Sequence, residues 1–419
     1  MILKYGDSFF DLDPARFNQS QVLALKQYLA DKSPIELIKA AFESCTKEFG
    51  KFIPGERVVI VTSDVTRYSG SELYLPMLVD KLNSIGIKDS DITIIIALGI
   101  HRKQTETEHK KIVGSLYGRI SVIDHDCDDT DNLIPLGKTS GGVDISVNRK
   151  IVEADRVILT GAIGFHYFAG FGGGRKSIVP GVASRRTCME SHFAVLNPGT
   201  RKGKNSKAVT GNLDENPVHQ AMVEGCSMIN PDLLINTVIT PDKNIIACFA
   251  GDWRKAHEEG CRFYADNFML PIDKLADLVI VSCGGFPKDI NMIQSHKAME
   301  YGSQALKEGG VMILLAECRD GYGNSTFADW FRFKDIGLFE DRLRSHYEIN
   351  GQTAYSLYLK ALKFKIILVS AFSPENVRNM GLIPAENLNI AVESAKEQLS
   401  EDYLTYIIPD GGVVLPRFI

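Results

Sequence analysis

The stretch "DRVILTGAIGFH", Asp155 to His166, is apolar over most of its length and ends in a histidine. A strand with one solvated face alternates apolar and polar residues, whereas a strand covered on both faces is almost continuously apolar. The stretch therefore predicts a strand of a parallel sheet buried between helices. Its last residue would lie at the carboxyl end of the strand, where open α/β sheets bind their ligands.

Other runs along the chain have the same character and alternate with helical patterns. The apolar runs are "RVVIVTSD" (57–64), "DITIIIALGIH" (91–101), "DLVIVSCGG" (277–285), "GGVMILLAEC" (309–318) and "KIILVS" (365–370). The helical patterns include "SGSELYLPMLVDKLNSIG", "SQALKEGG" and "YSLYLKALK". Buried strands that alternate with helices predict an α/β fold with at least two mainly parallel sheets.

The length of 419 residues favours two domains, because it exceeds what one core usually organises. One seam stands out in "DNFMLPIDKLAD" (266–277), where a connection containing proline precedes a fresh strand. We therefore expect an N-terminal α/β domain over residues 1–268 and a C-terminal α/β domain over residues 272–402.

Composition narrows the class of protein. The 44% apolar and 24% charged residues are ordinary globular values, and no apolar run approaches the roughly 20 residues that span a bilayer. The net charge of −5 comes without a basic stripe, so we expect neither a nucleic acid nor a membrane as partner. The start, "MILKYGDSFFDLD", has no signal-peptide pattern, and the eight cysteines form no CxxC pair. These features predict a cytoplasmic protein whose cysteines are reduced and mostly buried.

Polar side chains follow three of the predicted strands. Asp64 and Arg67 come after the first apolar run, His101 ends the second, and His166 ends the third. Because the carboxyl ends of parallel strands meet at one edge of a sheet, we expect these side chains on a common rim. A single strand-end histidine is usually structural, and a lone arginine can be a surface ion pair. The coincidence of all four favours a functional site.

The glycine-rich stretch "GFGGGRKS" (170–177) does not match a known nucleotide fingerprint. A Walker loop needs glycines where this chain has Ala169 and Arg175, and no G-x-G-x-x-G opens the stretch. The glycines still indicate a backbone that turns tightly, approaches another group closely or holds an anion. A mobile surface loop remains the alternative.

The segment after the glycines, "ASRRTCMESHFAVL" (183–196), predicts a helix with Ser184 as its N-cap and His192 about two turns in. No cysteine or second histidine stands three or four residues from His192, so it cannot form a structural zinc site alone. Any metal bound at His192 would need ligands from elsewhere.

The ordered set of motifs resembles the nickel-pincer-dependent lactate racemase family. The resemblance rests on His192 and on four motifs spread over nearly the whole chain: "DVTR" (64–67), "GIHR" (99–102), "GFHYFAGFGGGRKSIVPG" (164–181) and "DINMIQSHK" (289–297). It implies a larger N-terminal and a smaller C-terminal α/β domain with an active-site cleft between them. The tail, residues 404–419, would return to the first domain.

The family's cofactor is a nickel-pincer nucleotide derived from nicotinic acid and tethered to a lysine through a thioamide. The resemblance assigns the tether to Lys176 and the protein's nickel ligand to His192, while the pincer brings the other donors. Gly172, Gly173 and Gly174 would give the cofactor room. Proteins that synthesise the cofactor are then implied partners.

The resemblance also implies the chemistry. Family enzymes are thought to remove the C2 hydrogen of a 2-hydroxy acid as hydride, which leaves a planar 2-keto acid that can be reduced on either face. His101 and His166 match the family's acid/base pair, and imidazole suits that role because it titrates near neutral pH. Asp64 would lie beside the cofactor and orient its neighbours.

Substrate recognition is implied at three further positions. Arg67 would hold the carboxylate of a small 2-hydroxy acid by a bidentate contact, and Gln294 and Lys297 match substrate residues of the second domain. The chain departs from the family at Tyr68, where proline is common, and at Ile293, where tyrosine is common. These departures leave lactate and a larger or more polar 2-hydroxy acid both open.

His296 is an additional histidine in the last motif, and we expect it to be a solvent-exposed helical residue rather than a substrate contact. Two other functions stay open besides racemisation. An NAD-linked 2-hydroxyacid dehydrogenase would share the arginine and histidines but needs a Rossmann glycine fingerprint, which the sequence lacks. A non-catalytic nickel or cofactor carrier would keep Lys176 and His192 alone.

Overall fold

The computed structural model describes residues 1–25 and 31–418. Contacts divide these residues into a first unit, residues 31–197 and 204–265, and a second unit, residues 1–25, 198–203 and 266–418. Residues 26–30 of the expected first domain and residue 419 of its expected tail lie outside the described part of the chain.

Within residues 1–25 and 31–418 the strands, in chain order, are β1 Ile2–Tyr5, β2 Ser8–Asp11, β3 Ser20–Val22, β4 Val58–Ser63, β5 Ile92–Ala97, β6 Ser121–Asp124, β7 Leu133–Lys138, β8 Asp144–Asn148, β9 Arg156–Ile163, β10 Phe165–His166, β11 Gly170–Phe171, β12 Leu233–Ile239, β13 Ile245–Gly251, β14 Met269–Ile272, β15 Ala276–Ser282, β16 Leu306–Leu315, β17 Lys365–Val369, β18 Ile383–Ala385, β19 Thr405–Ile408 and β20 Leu415–Phe418. The α-helices of the same residues are α1 Pro34–Ser44, α2 Thr46–Phe49, α3 Ser71–Ile85, α4 Glu106–Val113, α5 Arg149–Glu153, α6 Arg185–Phe193, α7 Pro217–Ile229, α8 Trp253–Phe268, α9 Met292–Gly302, α10 Ser325–Asp329, α11 Ile336–Ser345, α12 Ile349–Lys363, α13 Pro374–Asn379 and α14 Leu388–Lys396.

The first unit is built on a sheet of order β13-β12-β9-β4-β5-β6. Neighbouring strands are parallel except β13, which runs antiparallel to β12. Ile60, Ile94 and Ile158, at the centres of β4, β5 and β9, are completely buried. The predicted buried strands at 57–64, 91–101 and 155–166 are therefore confirmed, and so is the α/β fold class.

The order of this sheet creates a crevice at one edge. The chain passes from β4 to β5 and β6 on one side, and then β9 and β12 continue on the other side of β4. The connections after β4 and β9 consequently leave the carboxyl edge in opposite directions. Such a switch point is where open α/β sheets bind ligands.

The second unit contains a sheet of order β18-β17-β16-β15-β19-β3, parallel at every pair. Leu3, Leu12 and Phe17 near the amino terminus pack into the same apolar core as Leu278 and Ile407. The division of the chain thus differs from the expected one. Residues 1–25 belong to the second unit because their apolar side chains cover its sheet.

The carboxyl-terminal tail also differs from the expectation. The resemblance implied that residues 404–419 return to the first domain, but β19 pairs with β15 in the middle of the second sheet, and β20 pairs with β14. The tail lies in the second unit because it completes that sheet. The division between the units falls at residues 265 and 266, where the expected seam begins.

Two of the three predicted helices form, as α3 and α12. The third, "SQALKEGG" (303–310), is wrong: Ser303–Ala305 is a 3-10 turn and β16 starts at Leu306. Gly309 has a φ of +76°, which a right-handed helix does not accommodate. All eight cysteines are free and seven of them are buried, as expected. None of the helices in the described ranges combines the length and apolar character needed to cross a membrane.

Candidate active site

Three neighbouring parallel strands of the first unit end beside one another, and a polar residue follows each of them within four residues. Asp64 follows β4, His101 lies four residues beyond β5, and His166 ends the short strand β10 that follows β9. The common rim predicted for these side chains is therefore present in the sheet order. It coincides with the switch point between β4 and β9.

Asp64 and His101 form a hydrogen-bonded pair. His101 Nδ1 lies 2.9 Å from Asp64 Oδ2, and the backbone N–H of Thr66 donates to Asp64 Oδ1 at 2.7 Å. Burial alone would raise the pKa of Asp64, but the hydrogen bonds from His101 and Thr66 and the charge of Arg67 outweigh it and hold the pKa below its ordinary value. Asp64 is therefore an ionised, acceptor-only group.

The pair determines which nitrogen of His101 carries the proton. Because the Asp64 carboxylate can only accept, His101 Nδ1 is the donor, and Nε2 of the neutral ring keeps its lone pair. The His101 side chain is 40% exposed, whereas that of Asp64 is 1% exposed. A buried carboxylate thus orients a partly open imidazole whose Nε2 can accept a proton.

His166 shows the opposite arrangement. The backbone N–H of Ala169 donates to His166 Nδ1 at 3.3 Å, so the proton of the neutral ring resides on Nε2. Burial and then the charges of Lys176, His192 and Arg67 hold the pKa of His166 well below its ordinary value. The ring is neutral and its Nε2–H is a donor. The two histidines are consequently set in complementary tautomers.

The ring of Phe168 lies at the centre of the other candidate residues. It is 1% exposed, and its centroid lies 4.5 Å from that of His166 and 5.1 Å from that of His192. Lys176 Nζ lies 6.0 Å from the same centroid. Phe168 therefore brings His166, Lys176 and His192 together around one apolar surface.

Lys176 lies on the 3-10 turn Gly174–Ser177 and is half-buried. Burial, reinforced by the positive charges of Arg67 and Arg175, holds its pKa well below the ordinary value for lysine. The amine is thereby biased to its neutral form, which is the form that attacks an electrophilic carbon.

His192 lies on α6 as predicted, and the Ser184 hydroxyl caps this helix by accepting from Thr187 N–H at 3.1 Å. His192 is 6% exposed, and its Nδ1 donates to the carbonyl of Cys188 at 2.6 Å, which leaves the lone pair on Nε2. Burial and the charge of Lys176 lower its pKa to about 3. A neutral imidazole that donates to a carbonyl through one nitrogen is the usual state of a metal-ligating histidine.

The glycine-rich loop is held by buried side chains and is not a loose surface turn. The N–H of Gly174 donates to Asn236 Oδ1 at 2.8 Å. A Cβ at Gly173 would stand 2.7 Å from Asn236 Oδ1, and one at Gly174 would stand 2.5 Å from the His257 ring. These two glycines permit close packing against the protein itself. At Gly172 a Cβ would make only ordinary contacts, the nearest at 3.6 Å.

Sequence reasoning missed four residues of this region: Phe168, Asn216, Asn236 and His257. Asn216 Nδ2 donates to the carbonyl of Phe168 at 2.9 Å, and Asn236 stands with Thr237 in a strand that is otherwise apolar, "LLINTVI". A completely buried asparagine in such a run was a usable signal, because it must find partners. The sequence offers no comparable signal for Phe168 or His257, which resemble ordinary core residues.

The predicted substrate residues lie in both units. Arg67 is exposed, and its charge contributes to lowering the pKa values of His166, Lys176 and His192. Gln294 and Lys297 are exposed on α9 of the second unit, where Lys297 Nζ donates to Gln294 Oε1 at 2.9 Å.

The positions that depart from the family pattern have defined surroundings. Tyr68 donates its hydroxyl to Glu72 Oε1 at 2.7 Å, and Ile293 is half-buried on α9. His296 was expected to be exposed, but it is 1% exposed and its Nε2 lies 3.7 Å from Glu300 Oε2. The expectation is wrong because the side of α9 that carries His296 packs into the second unit's interior.

The described residues contain no group of three or more His, Cys, Asp or Glu side chains arranged to hold a metal ion.

The family models that match this chain and its most similar relatives point to the same family. Residues 5–203 match the lactate racemase N-terminal domain and residues 272–415 match the lactate racemase C-terminal domain. The lactate racemase of Thermoanaerobacterium thermosaccharolyticum is 34% identical over 427 residues, which covers 99% of this chain and 98% of that protein. The lactate racemase of Lactiplantibacillus plantarum is 34% identical over 370 residues, which covers 85% and 84%.

A solved structure supports the same relationship. The lactate racemase apoprotein from Thermoanaerobacterium thermosaccharolyticum superposes with a TM-score of 0.88 at 33% identity and covers 99% of both chains. Domain models for both halves and relatives aligned over most of its length show that this chain belongs to the lactate racemase family and is an isomerase.

Proposed function

We propose that this chain interconverts the enantiomers of a 2-hydroxy acid of the lactate type by hydride transfer at C2, with a nickel-pincer nucleotide tethered to Lys176. The observation that carries the proposal is the pair of complementary histidines. His101 offers a lone pair and His166 offers an N–H at the edge of one sheet. Its relatives of 34% identity bear the name lactate racemase, which favours lactate as substrate.

The residues around Phe168 fit the cofactor. Lys176 supplies an amine biased to its neutral form, which can condense with a thiocarboxylic acid so that one N–C bond forms and water leaves. His192 supplies a neutral Nε2, and imidazole is a suitable nickel ligand. When bound, the nucleotide would supply the other nickel ligands and the acceptor for the C2 hydride.

The chain's own residues would move the proton of the substrate hydroxyl. When that hydroxyl faces His101, Nε2 accepts its proton as the C2 hydrogen departs as hydride, and ionised Asp64 stabilises the imidazolium. The product of this half-reaction is a planar 2-keto acid. At the opposite face the oxygen would meet His166, whose Nε2–H would donate to it and give it a proton that solvent then restores to the ring.

Arg67 would bind the carboxylate throughout. A bidentate contact to a planar guanidinium holds both enantiomers at a common pivot, so that either face of C2 can approach the same acceptor. Solvent returns the proton from His101 to His166 before the next turnover, and the partly exposed side chain of His101 permits that exchange.

Asp64→Asn tests the role of the carboxylate in this mechanism. The asparagine amide can donate to His101 Nδ1, which would move the ring proton to Nε2 and remove the base. We expect kcat to fall by about 10² or more, with the amount of adduct on Lys176 unchanged. Racemisation rates and peptide mass spectrometry measure the two quantities.

A matched control is Asp124→Asn, because Asp124 pairs with His109 Nε2 at 2.8 Å in the same unit. This variant also breaks an Asp–His pair and should keep nearly all activity. If Asp64→Asn were as active as the control, Asp64 would have no part in the chemistry.

The substrate preference can be tested at Ile293. Isoleucine lacks the hydroxyl and the ring of the tyrosine common in the family, so we expect longer or branched 2-hydroxy acids to show a higher kcat/KM than lactate. Each additional buried methylene is worth up to about 0.8 kcal/mol. The measurement is chiral chromatography after incubation of loaded enzyme with a panel of single-enantiomer 2-hydroxy acids.

Ile293→Tyr is the matched variant and should shift the preference of the enzyme toward lactate. A highest kcat/KM for lactate in the unaltered enzyme would contradict the inference from Ile293 and leave the racemase proposal standing.

A further inference from the structure

Arg175 is the largest of the fully buried side chains in the described residues. Its Nη2 donates to the carbonyl of Ala169 at 2.9 Å, and its Nη1 donates to the carbonyls of Gly172 and Gly173 at 3.3 and 3.4 Å. Nη1 also lies 2.9 Å from His257 Nε2, and this nitrogen lies 3.0 Å from the carbonyl of Gly172. All four partners are neutral.

A guanidinium buried without an anion is unusual, because buried charges are normally paired. Burial lowers the pKa of Arg175 to about 10, so the group remains protonated near neutral pH. A neutral amide could hold one or two carbonyls at lower cost. Arg175 differs from such an amide in two ways. Its branched guanidinium reaches three carbonyls, and it places a permanent positive charge beneath the loop.

The three carbonyls belong to the backbone that leads directly into the turn carrying Lys176. Beyond them, the His257 ring fills the space beside Gly174, and Lys176 N–H donates to the carbonyl of Gly173 at 3.1 Å. Arg175 and Lys176 are adjacent in sequence, yet one side chain is buried in the unit and the other is half-buried beside Phe168. The direction of the lysine is thus coupled to the position of the arginine.

We propose that Arg175 is a positioning residue that clamps the carbonyls of Ala169, Gly172 and Gly173 and so fixes the direction in which the loop presents Lys176. Its charge has a second effect, since it disfavours a proton on the neighbouring amine. The functional role of this clamp rests on the proposed tether at Lys176. The effect of Arg175 on the loop does not depend on that tether.

The test compares Arg175→Met, which removes fork and charge, with Arg175→Lys, which keeps the charge but cannot span three carbonyls. Arg156→Met is the matched control. Arg156 is a half-buried arginine of the first unit that, unlike Arg175, pairs with carboxylates: Glu56 at 2.8 Å and Asp232 at 2.9 Å, at the opposite end of β9. Arg156→Met should lower the stability of the protein without affecting the glycine-rich loop.

The first readout is the rate at which acetic anhydride acylates Lys176 in cofactor-free protein, measured against pH by peptide mass spectrometry. The charged and titratable groups that act on Lys176 are Arg67, Arg175, Cys188, His166 and His192. Removing one like charge should raise the midpoint for Lys176 by about one pH unit in Arg175→Met. Arg175→Lys should shift it less, and Arg156→Met should not shift it.

The second readout is hydrogen exchange of the loop amides, including Gly172, which donates to the carbonyl of Gly164 at 2.7 Å, and Gly174. Loss of hydrogen bonds from a charged group should speed their exchange about tenfold or more in both Arg175 variants, but not in Arg156→Met. If Arg175→Lys retains wild-type exchange and the wild-type midpoint, the clamp is refuted even if Arg175→Met does not fold.

These readouts are independent of the proposed function because neither requires bound cofactor. An adduct found on a different lysine would overturn the tether but leave an observed effect of Arg175 on the loop intact. An unchanged loop in the Arg175 variants would overturn the clamp and leave the tether standing.

Discussion

Lys176→Ala protein made together with the cofactor-synthesis proteins should carry no covalent adduct and should not racemise any 2-hydroxy acid. The unaltered chain made in the same way should carry the adduct on Lys176 with stoichiometric nickel. We expect a complete effect because Lys176 holds its amine beside Phe168, whose ring also packs against His166 and His192. Peptide mass spectrometry and elemental analysis make the measurement.

Two further variants sharpen this result. His192→Ala should keep the adduct but hold nickel poorly, because it removes only the protein's imidazole ligand. Lys207→Ala changes an exposed lysine of the same unit, paired with Glu215 at 2.9 Å, and should behave like the unaltered chain. An adduct that persists in Lys176→Ala would contradict the assignment of the tether to Lys176.

His101→Gln and His166→Gln should each depress racemisation by about 10² to 10⁴, the usual contribution of one positioned proton-transfer group. Both directions of interconversion must fall equally in each variant, because a catalyst cannot alter the equilibrium between enantiomers. Initial rates from each pure enantiomer give the result. Both variants should still carry the adduct on Lys176, since neither histidine holds it.

His109→Gln is the control for these variants, because His109 pairs with Asp124 outside the candidate site. Near-normal activity in His101→Gln or His166→Gln would remove that histidine from the mechanism. If an adduct formed but neither the unaltered chain nor any variant racemised a 2-hydroxy acid, a non-catalytic cofactor carrier would be the better account.

The buried strands were predictable because continuous Val, Ile and Leu leave few alternatives to a doubly covered strand. The segment 303–310 was not, since its spacing of apolar residues is compatible with a helix and only the left-handed Gly309 and the parallel pairing of β16 decide for a strand. The assignment of residues 1–25 to the second unit could not be predicted from the sequence either. It depends on long-range packing of Leu3 and Leu12 against β15, which no local pattern records.

Some features of the candidate site could likewise be predicted from the sequence and others could not. Asp64, His101 and His166 could be placed on one rim from strand ends alone, whereas the role proposed for Lys176 comes from the family resemblance. The tautomers of the histidines could not be predicted, because they depend on a carboxylate and a backbone N–H that only the folded chain brings to each Nδ1. The three-carbonyl clamp of Arg175 depends likewise on the turn of the glycine loop.

The most direct test of racemisation by hydride transfer uses a single enantiomer of lactate, or of the preferred 2-hydroxy acid, that carries deuterium at C2. Loaded enzyme is incubated with it in ordinary water, and the product enantiomer is separated and examined by mass spectrometry. The account predicts that the inverted product keeps deuterium at C2, because hydride does not exchange with solvent. Inverted product that carries hydrogen from water at C2 would show that the hydrogen left as a proton, and would contradict the account.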